Sequence, residues 1–292
     1  MGPFSGVPVG EALASAQIAL AAAGVDTPRL DAEVLLAHAL GVGRTRLLLE
    51  RDTPVEGAAI RAFQTAVRRR SVERVPVAYL TGVKGFRHLD LHVDPRVLIP
   101  RPDTEALVEW AVRGLPLSAR VVDVGTGSGA VALALKDERP DLEVLGTDLS
   151  PGALEVAHAN AERLGLDVTF IQGDLLAGVE ADAVLSNPPY VETDAELQPE
   201  IAVHEPKLAF QAGADGLDVY RRLVPAIVAG EARFAGLEVG AGQAAAVRAL
   251  FAEAATGAGP AAGVSTPPSA AWETDVGRDL AGIERVVSAW RP

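Results

Sequence analysis

The sequence predicts an α/β protein whose parallel sheet is covered by helices on both faces, preceded by a small bundle of helices. Three observations carry this. From Arg120 onward, short apolar runs of strand length alternate with segments of helix length. The first of those runs ends in a glycine-rich turn, Gly125-Thr126-Gly127-Ser128-Gly129. The stretch from about Val9 to Arg74 has helical periodicity and few strand signals.

In the N-terminal stretch, Leu13, Gln17 and Leu20 begin an apolar stripe that Gly24 breaks. Leu30, Val34, Ala37 and Leu40 fall at helical spacing, and Gly41 and Gly43 end that run. Ile60, Phe63 and Val67 repeat the pattern. Such helices bury their stripes against one another. Arg68, Arg69, Arg70 and Arg74 read as a solvated helix end favoured by the helix dipole; a docking patch for an acidic partner is the alternative. His38, inside a helical pattern, reads as a packing or surface residue.

From Val77 to Pro100 the character changes. Phe86, Leu89, Leu91 and Val93 partly alternate with polar residues, and Gly82 and Gly85 punctuate them, which predicts a hairpin or extended connector. Ile99 to Glu105 then leads into an amphipathic helix carrying Leu107, Val108 and Ala111, with proline at the entry and acidic residues in the first turn. Arg101 and Glu105 read as an ion pair at that helix start; the compatible functional reading is that the loop shapes a cofactor pocket and a substrate entrance. The expected division is a helical domain over 1–76, a hairpin connector over 77–100 and a sheet domain over 101–292.

In the sheet domain, strands are expected at Val121 to Val124, Val144 to Thr147, Val168 to Ile171, Ala183 to Ser186, near Leu237 to Val239, and at Glu284 to Trp290. Helices are expected at Ala130 to Lys136, Pro151 to Leu164 and Val219 to Val228, and in the first half of Ala241 to Gly263, whose second half reads as a loop. The alternation implies a parallel, doubly covered sheet.

Composition narrows the function. The chain has 292 residues, 49% of them hydrophobic, enough for a sizeable core. No run approaches the roughly 18 apolar residues of a membrane span, and Met1 to Gly10 lack the features of a signal peptide, so a cytoplasmic location is expected. There is no cysteine, which excludes disulfides, thiolate metal sites and cysteine nucleophiles. The five histidines, His88, His92 and His204 among them, lack paired ligand spacing, so no metal is expected. A net charge of −13 argues against a phosphate-gripping surface and direct nucleic-acid binding.

Three motifs carry chemistry. Val121 to Gly129 is a strand running through a glycine-rich turn into a helix, a cradle for a cofactor. By itself it is also compatible with a dinucleotide fold. Asp148 ends the second strand about 20 residues later, where a carboxylate accepts from ribose hydroxyls; capping the helix that starts at Ser150-Pro151 is its plainer role. The third motif, Ser186-Asn187-Pro188-Pro189-Tyr190, follows the fourth strand. Two prolines remove two N–H donors and stiffen the loop. The Pro188 carbonyl and the Asn187 side-chain oxygen can then accept both hydrogens of a planar –NH₂ group, and Tyr190 offers a flat face for stacking. An amide nitrogen is a poor nucleophile, so aligning its lone pair with an electrophilic methyl is the useful device. Acceptors on both hydrogens stabilise the positive charge that develops.

On these residues the sequence resembles the HemK/PrmC family of protein-(glutamine-N5) methyltransferases. The resemblance runs through nearly the whole chain. It includes Ala78 to Gly82 with Phe86 and Leu89, Val97 to Glu105, the glycine loop, Asp148-Leu149-Ser150, Ser186 to Tyr190, Glu205-Pro206, Gly213 to Leu217, Glu238-Val239-Gly240 with Gln243, and Gly277 to Val287. It implies a Rossmann-like class I methyltransferase with a seven-stranded sheet behind a small N-terminal helical bundle. It implies that Gly125, Thr126, Gly127, Ser128, Gly129 and Asp148 hold S-adenosyl-L-methionine, with Asn187 beside it and Leu175 as an apolar wall against the adenine. Asn187, Pro188, Pro189 and Tyr190 would bind the glutamine of the Gly-Gly-Gln motif of class I peptide chain release factors, with Asn187, Pro188 and Tyr190 catalytic. The product would be N5-methylglutamine. The sequence departs from the family at Ala229 to Arg233, where a proline-glycine-glycine turn is usual, and in the Ala-, Gly- and Pro-rich stretch 254–268. Two other targets stay open for the same loop: a glutamine of a ribosomal protein, and an adenine amine of nucleic acid.

Overall fold

The computed structural model of the chain describes residues 6–176, 178–256, 271–279 and 281–291. It has two compact units, one formed by residues up to Val83 with Gln198–His204, the other by Lys84–Leu197 with Glu205 onward.

The first unit is helical: α1 (Val9–Ala22), α2 (Pro28–Leu40), α3 (Arg44–Leu49), α4 (Gly57–Val72) and α5 (Val77–Thr81), with β1 (Val7–Pro8) paired antiparallel to β2 (Pro54–Val55). Pro28 opens α2 with its preset φ, and Gly41, at φ +65°, closes it in the left-handed region. Leu13 and Leu20 of α1 are buried as expected, but Gln17 is exposed. In α2 the core face is Ala32, Leu35, Leu36 and the expected Ala37, with the expected Leu40 packed against it, but Leu30 is exposed. Two adjacent apolar stripes share the helical period there, and spacing alone does not say which one faces the core.

The arginine cluster differs more from expectation. Arg70 is buried, not solvated. Its Nε donates to Asp31 Oδ2 at 2.7 Å and its Nη1 to Glu200 Oε1 at 2.7 Å. Arg74 joins Glu200 at 2.7 Å and donates to the Ala23 carbonyl. Glu200 lies 130 positions from Arg70 in sequence, so the pairing left no local trace.

The second unit begins with a hairpin, β3 (Val83–Phe86) and β4 (Leu89–His92), at whose first residue the division falls. A helix, α6 (Glu105–Gly114), precedes β5 (Arg120–Val124), α7 (Ala130–Glu138), β6 (Glu143–Asp148), α8 (Pro151–Leu164), β7 (Thr169–Gln172) and β8 (Ala183–Ser186). The next helix, α9 (Pro199–His204), belongs to the first unit and carries Glu200. Then follow α10 (Asp218–Ala229), β9 (Phe234–Glu238), α11 (Ala244–Ala255), β10 (Glu273–Arg278) and β11 (Glu284–Trp290).

The sheet order is β10-β11-β9-β8-β5-β6-β7. The five strands β5 to β9 are parallel, and β11 runs antiparallel between β9 and β10. Every residue of β8 is buried, as befits a central strand covered on both faces. One face packs on α6, α7 and α8 through Leu107, Val108, Leu133 and Leu154, the other on α10 and α11 through Leu223, Ile227 and Phe251. Each such fully buried side chain contributes roughly 1.5–3 kcal/mol. In the sheet domain the expected elements stand within three residues of their predicted ends, but the start of the expected hairpin connector, Val77–Thr81, is helical, and the hairpin itself is confined to Val83–His92. β10 was not expected: only half-buried at the sheet edge, it carries no apolar run. The start of the loop predicted for the second half of Ala241 to Gly263 is still helical as far as Ala255; its remainder, and most of 254–268, lie outside the described residues.

Candidate active site

β5 and β8 are neighbours, but from β5 the chain proceeds through β6 and β7 to one side and from β8 through β9 to the other. Their C-terminal ends therefore flank a topological switch point, where open α/β sheets bind ligands. A cleft of about 260 Å³ opens there. Gly125, Thr126, Gly127, Ser128, Asp148, Leu175, Asn187, Pro188 and Pro189 line it, so the sheet brings nearly all the expected site residues together. Gly129 and Tyr190 are not among the lining residues.

The glycine loop owes its shape to backbone conformation. Gly125 and Gly127 have φ of +72° and +58°, a region costly for residues with a Cβ. A Cβ at either would meet nothing within 4 Å, so their backbone lies open to a ligand. At Gly129 a Cβ would come within 2.9 Å of Leu133 Cδ1, so that glycine serves helix packing instead. The amides of Gly125 and Thr126 donate to the Thr147 carbonyl. The Thr126 hydroxyl and the Ala132 amide donate to Asp123 Oδ2 at 2.7 and 3.2 Å. Burial pushes the Asp123 carboxyl up to about 7; these two bonds pull against that, and the nearby Asp148 adds to it.

Asp148 Oδ2 accepts from the Gly127 amide and Oδ1 from the Ser150 amide, both at 2.9 Å. The cap of α8 is Ser150, whose Oγ accepts from Ala153. Asp148 is thus free of capping duty, and each of its oxygens keeps a lone pair for a further donor. Leu175 adopts φ +52°, held by the Thr147 hydroxyl on its carbonyl at 2.7 Å.

Asn187 is oriented by a residue from another segment. Its Nδ2 donates to Thr104 Oγ1 at 3.0 Å, which turns the Asn187 side-chain oxygen into the only other polar end. Thr104 is buried and closes the 3₁₀ turn Pro102–Thr104. Ser186 ties the end of β8 to β5 through the Val124 carbonyl. Tyr190 holds the loop from behind. Its carbonyl accepts from Gln243 Nε2 at 3.0 Å, and its hydroxyl donates to Glu238 Oε1 at 3.4 Å. Burial pushes the Tyr190 phenol up to about 12, and the Glu238 charge adds to that.

A family model described as the PrmC N-terminal domain matches residues 11–82, and one described as the methyltransferase small domain matches 103–205. A release factor glutamine methyltransferase of Deinococcus radiodurans is 42% identical over 96% of this chain and 97% of its own length. That of Mycolicibacterium smegmatis is 48% identical over 73% of this chain and 77% of its own. The chain belongs to the release factor glutamine methyltransferase family. A solved release factor-specific protein-(glutamine-N5) methyltransferase of Alicyclobacillus acidocaldarius is 32% identical and covers 69% of this chain and 99% of its own, with a TM-score of 0.39.

Within this family member, the Pro100 to Glu105 run is organised differently from the expected ion pair. Arg101 pairs with Glu205, whose other oxygen accepts from the Ile99 amide at 3.1 Å. Glu105 instead accepts from the Arg87 amide. Glu205 and Arg101 are 104 positions apart, so the local spacing misled. Asp123, Thr104 and Glu238 were given no role from sequence. Asp123 stood in plain view inside the glycine motif, but the links of Thr104 and Glu238 to the loop are long-range.

Proposed function

We propose that this cleft transfers a methyl group from S-adenosylmethionine to the side-chain amide nitrogen of the glutamine in the Gly-Gly-Gln motif of a class I release factor. The observation that carries the reading is the Asn187 amide, held by Thr104 with its oxygen left to accept, next to the fixed Pro188 carbonyl at the switch point. The residues present fit the cofactor: open glycine backbone at Gly125 and Gly127, a carboxylate with spare lone pairs at Asp148, and an apolar wall at Leu175. When bound, S-adenosylmethionine supplies an electrophilic methyl group. Asp148 would accept from the ribose hydroxyls. Asn187 Oδ1 and the Pro188 carbonyl would take the two amide hydrogens and aim the nitrogen lone pair. As positive charge grows on nitrogen these acceptors stabilise it, and the proton can leave after transfer. Pro189 keeps the loop stiff. Tyr190 contributes by anchoring the loop through Glu238 and Gln243, since it does not line the cleft.

A substrate of the translation machinery supports a cytoplasmic location for the enzyme. No described helix is long and apolar enough to cross a membrane. The test is incubation of the purified chain with S-adenosylmethionine and unmodified release factor, followed by peptide mass spectrometry. One methyl group on the Gly-Gly-Gln glutamine is expected. An unmodified glutamine, with methylation of a ribosomal protein or of nucleic acid in the same assay, overturns the reading.

A further inference from the structure

Two sequence motifs that the chemistry does not use, Gly213 to Leu217 and Glu238 to Gly240 with Gln243, meet on one carboxamide behind the catalytic loop. Gln243 stands just before α11. Its backbone N–H donates to the Gly240 carbonyl at 3.1 Å, and its side-chain Oε1 accepts from the Gly240 amide at 3.0 Å. These two bonds to one glycine fix the side chain, and Nε2 then donates to the Tyr190 carbonyl at 3.0 Å. The glycines leave room for this. A Cβ at Gly216, which has φ +71°, would lie 2.2 Å from the Tyr190 carbonyl oxygen and 2.6 Å from Gln243 Nε2. A Cβ at Gly240 would lie 2.8 Å from Gln243 Oε1 and 3.1 Å from Tyr190 Cδ2.

The sense of the carboxamide is forced by its partners. A backbone N–H can only donate and a carbonyl can only accept. A reversed amide would set donor against donor at Gly240 and acceptor against acceptor at Tyr190. Gln243 is therefore a directional clip and not a filler of space.

The clip matters because of what lies before Tyr190. Pro188 and Pro189 have no N–H, so neighbours cannot hold this stretch by its amides. Proline fixes φ at both, and Asn187 and Pro188, each preceding a proline, are confined to extended backbone. Few free torsions remain between Asn187 and Tyr190, so the hold on the Tyr190 carbonyl sets the direction of the Pro188 carbonyl. The loop is tied before this stretch by Ser186 to the Val124 carbonyl, and after it by the Val191 amide to the Phe210 carbonyl at 2.7 Å. Between these ties, Gln243 grips the main chain at Tyr190.

We propose that Gln243 is a positioning residue for methyl transfer, which aims the Pro188 carbonyl at the substrate amide by holding the Tyr190 carbonyl. This rests on the reading of the Asn187 to Tyr190 loop given above. Gln243 does not line the cleft, so it acts through the loop.

The experiment is steady-state methylation of unmodified release factor by the full chain and by Gln243→Glu and Gln243→Met, at about pH 8.5, where a glutamate carboxyl is ionised. Calorimetric binding of S-adenosylhomocysteine is the check on fold. Gln243→Glu keeps the shape and the acceptor for Gly240 but sets an oxygen against the Tyr190 carbonyl. Gln243→Met fills the space without a polar group. Each is expected to lose ~10- to 100-fold in kcat, while KM for release factor and S-adenosylhomocysteine affinity stay within about twofold. A role in packing alone would leave Gln243→Glu near the wild-type rate. Wild-type kcat in Gln243→Glu, or a loss confined to KM or to S-adenosylhomocysteine affinity, overturns this proposal alone; if Gln243→Met does not fold, Gln243→Glu decides. A wild-type chain that leaves the release factor unmethylated overturns the functional reading and the proposal with it.

Discussion

The two units differ in how they hold buried charge, although Glu205 of the sheet unit, like the carboxyls of the helical unit, meets a guanidinium, that of Arg101. In the helical unit, Asp31, Glu33 and Glu200 each meet a guanidinium: Arg70 for Asp31, Arg29 and Arg44 for Glu33, Arg70 and Arg74 for Glu200. In the sheet unit, Asp123 and Glu238 are as deeply buried, yet neither makes a salt bridge among the described residues; their partners are hydroxyls and amides. Paired charges hold a shape and are inert. Carboxyls held by neutral donors stay poised between protonation states, which groups at a reaction centre can use and groups in a scaffold need not. The difference sets Asp123 and Glu238 apart from the salt-bridged carboxyls of either unit.

The contrast breaks most sharply at Arg70. Arg70→Ala would leave Asp31 with the Thr27 hydroxyl and Glu200 with Arg74 and a backbone bond, with no second guanidinium on either. Removing one partner of a buried pair costs roughly 3–5 kcal/mol, and the surviving Arg74 contact puts this case at the lower end. Thermal unfolding of the variant should show a clear loss, while calorimetric S-adenosylhomocysteine affinity stays near wild type. An unchanged unfolding temperature would mean that the network is not structural.

A second prediction tests the other side. Asn187→Ala removes an acceptor from the cleft without removing a salt bridge. Losing one preorganised group of this kind lowers kcat by roughly 100-fold, about 3 kcal/mol, and should leave cofactor affinity and unfolding temperature nearly unchanged. Full turnover in the purified variant would remove Asn187 from the reaction.

These two residues also mark what the sequence could and could not say. Asn187 was legible because its loop is a local signal: two prolines just after the apolar run Ala183 to Leu185, at the fourth strand of an α/β alternation. The glycine loop and α8, from Pro151 to Leu164, were legible for the same reason. Arg70 was misread because its meaning depends on Glu200, and Arg101 because its partner is Glu205 and not the nearby Glu105. Thr104, 83 positions from Asn187, acquires a role only when the sheet brings β8 beside the turn after Arg101. Local chemistry is written in spacing; cross-chain hydrogen bonds arise from topology, and one sequence carries no trace of which distant residues will meet.

The smallest expected effect is the most discriminating, because Glu33 and Glu200 of the helical unit and Asp123 and Glu238 of the sheet unit should respond to pH with opposite sign. In the helical unit, Glu33 is lowered by its bonds to Arg44 and Arg29 against the cost of burial. Glu200 is also lowered, its burial outweighed by a backbone bond and by Arg70 and Arg74. A lowered carboxyl contributes stability that is present above its ordinary value and is lost as pH falls through the folded one. Asp123 and Glu238 are raised to about 7 from 3.8 and 4.5. Their contribution is fully present below the ordinary values, declines as pH rises toward 7, and is gone above it. Glu238→Gln abolishes one of these titrations. Its unfolding temperature relative to wild type should therefore climb between pH 5 and pH 8, by about 2 kcal/mol or ~5 °C. Arg70→Ala should show no such climb over that range. A constant offset between Glu238→Gln and wild type across the range would mean that Glu238 is already ionised at pH 5, and the contrast between paired and poised carboxyls would then rest on Asp123 alone.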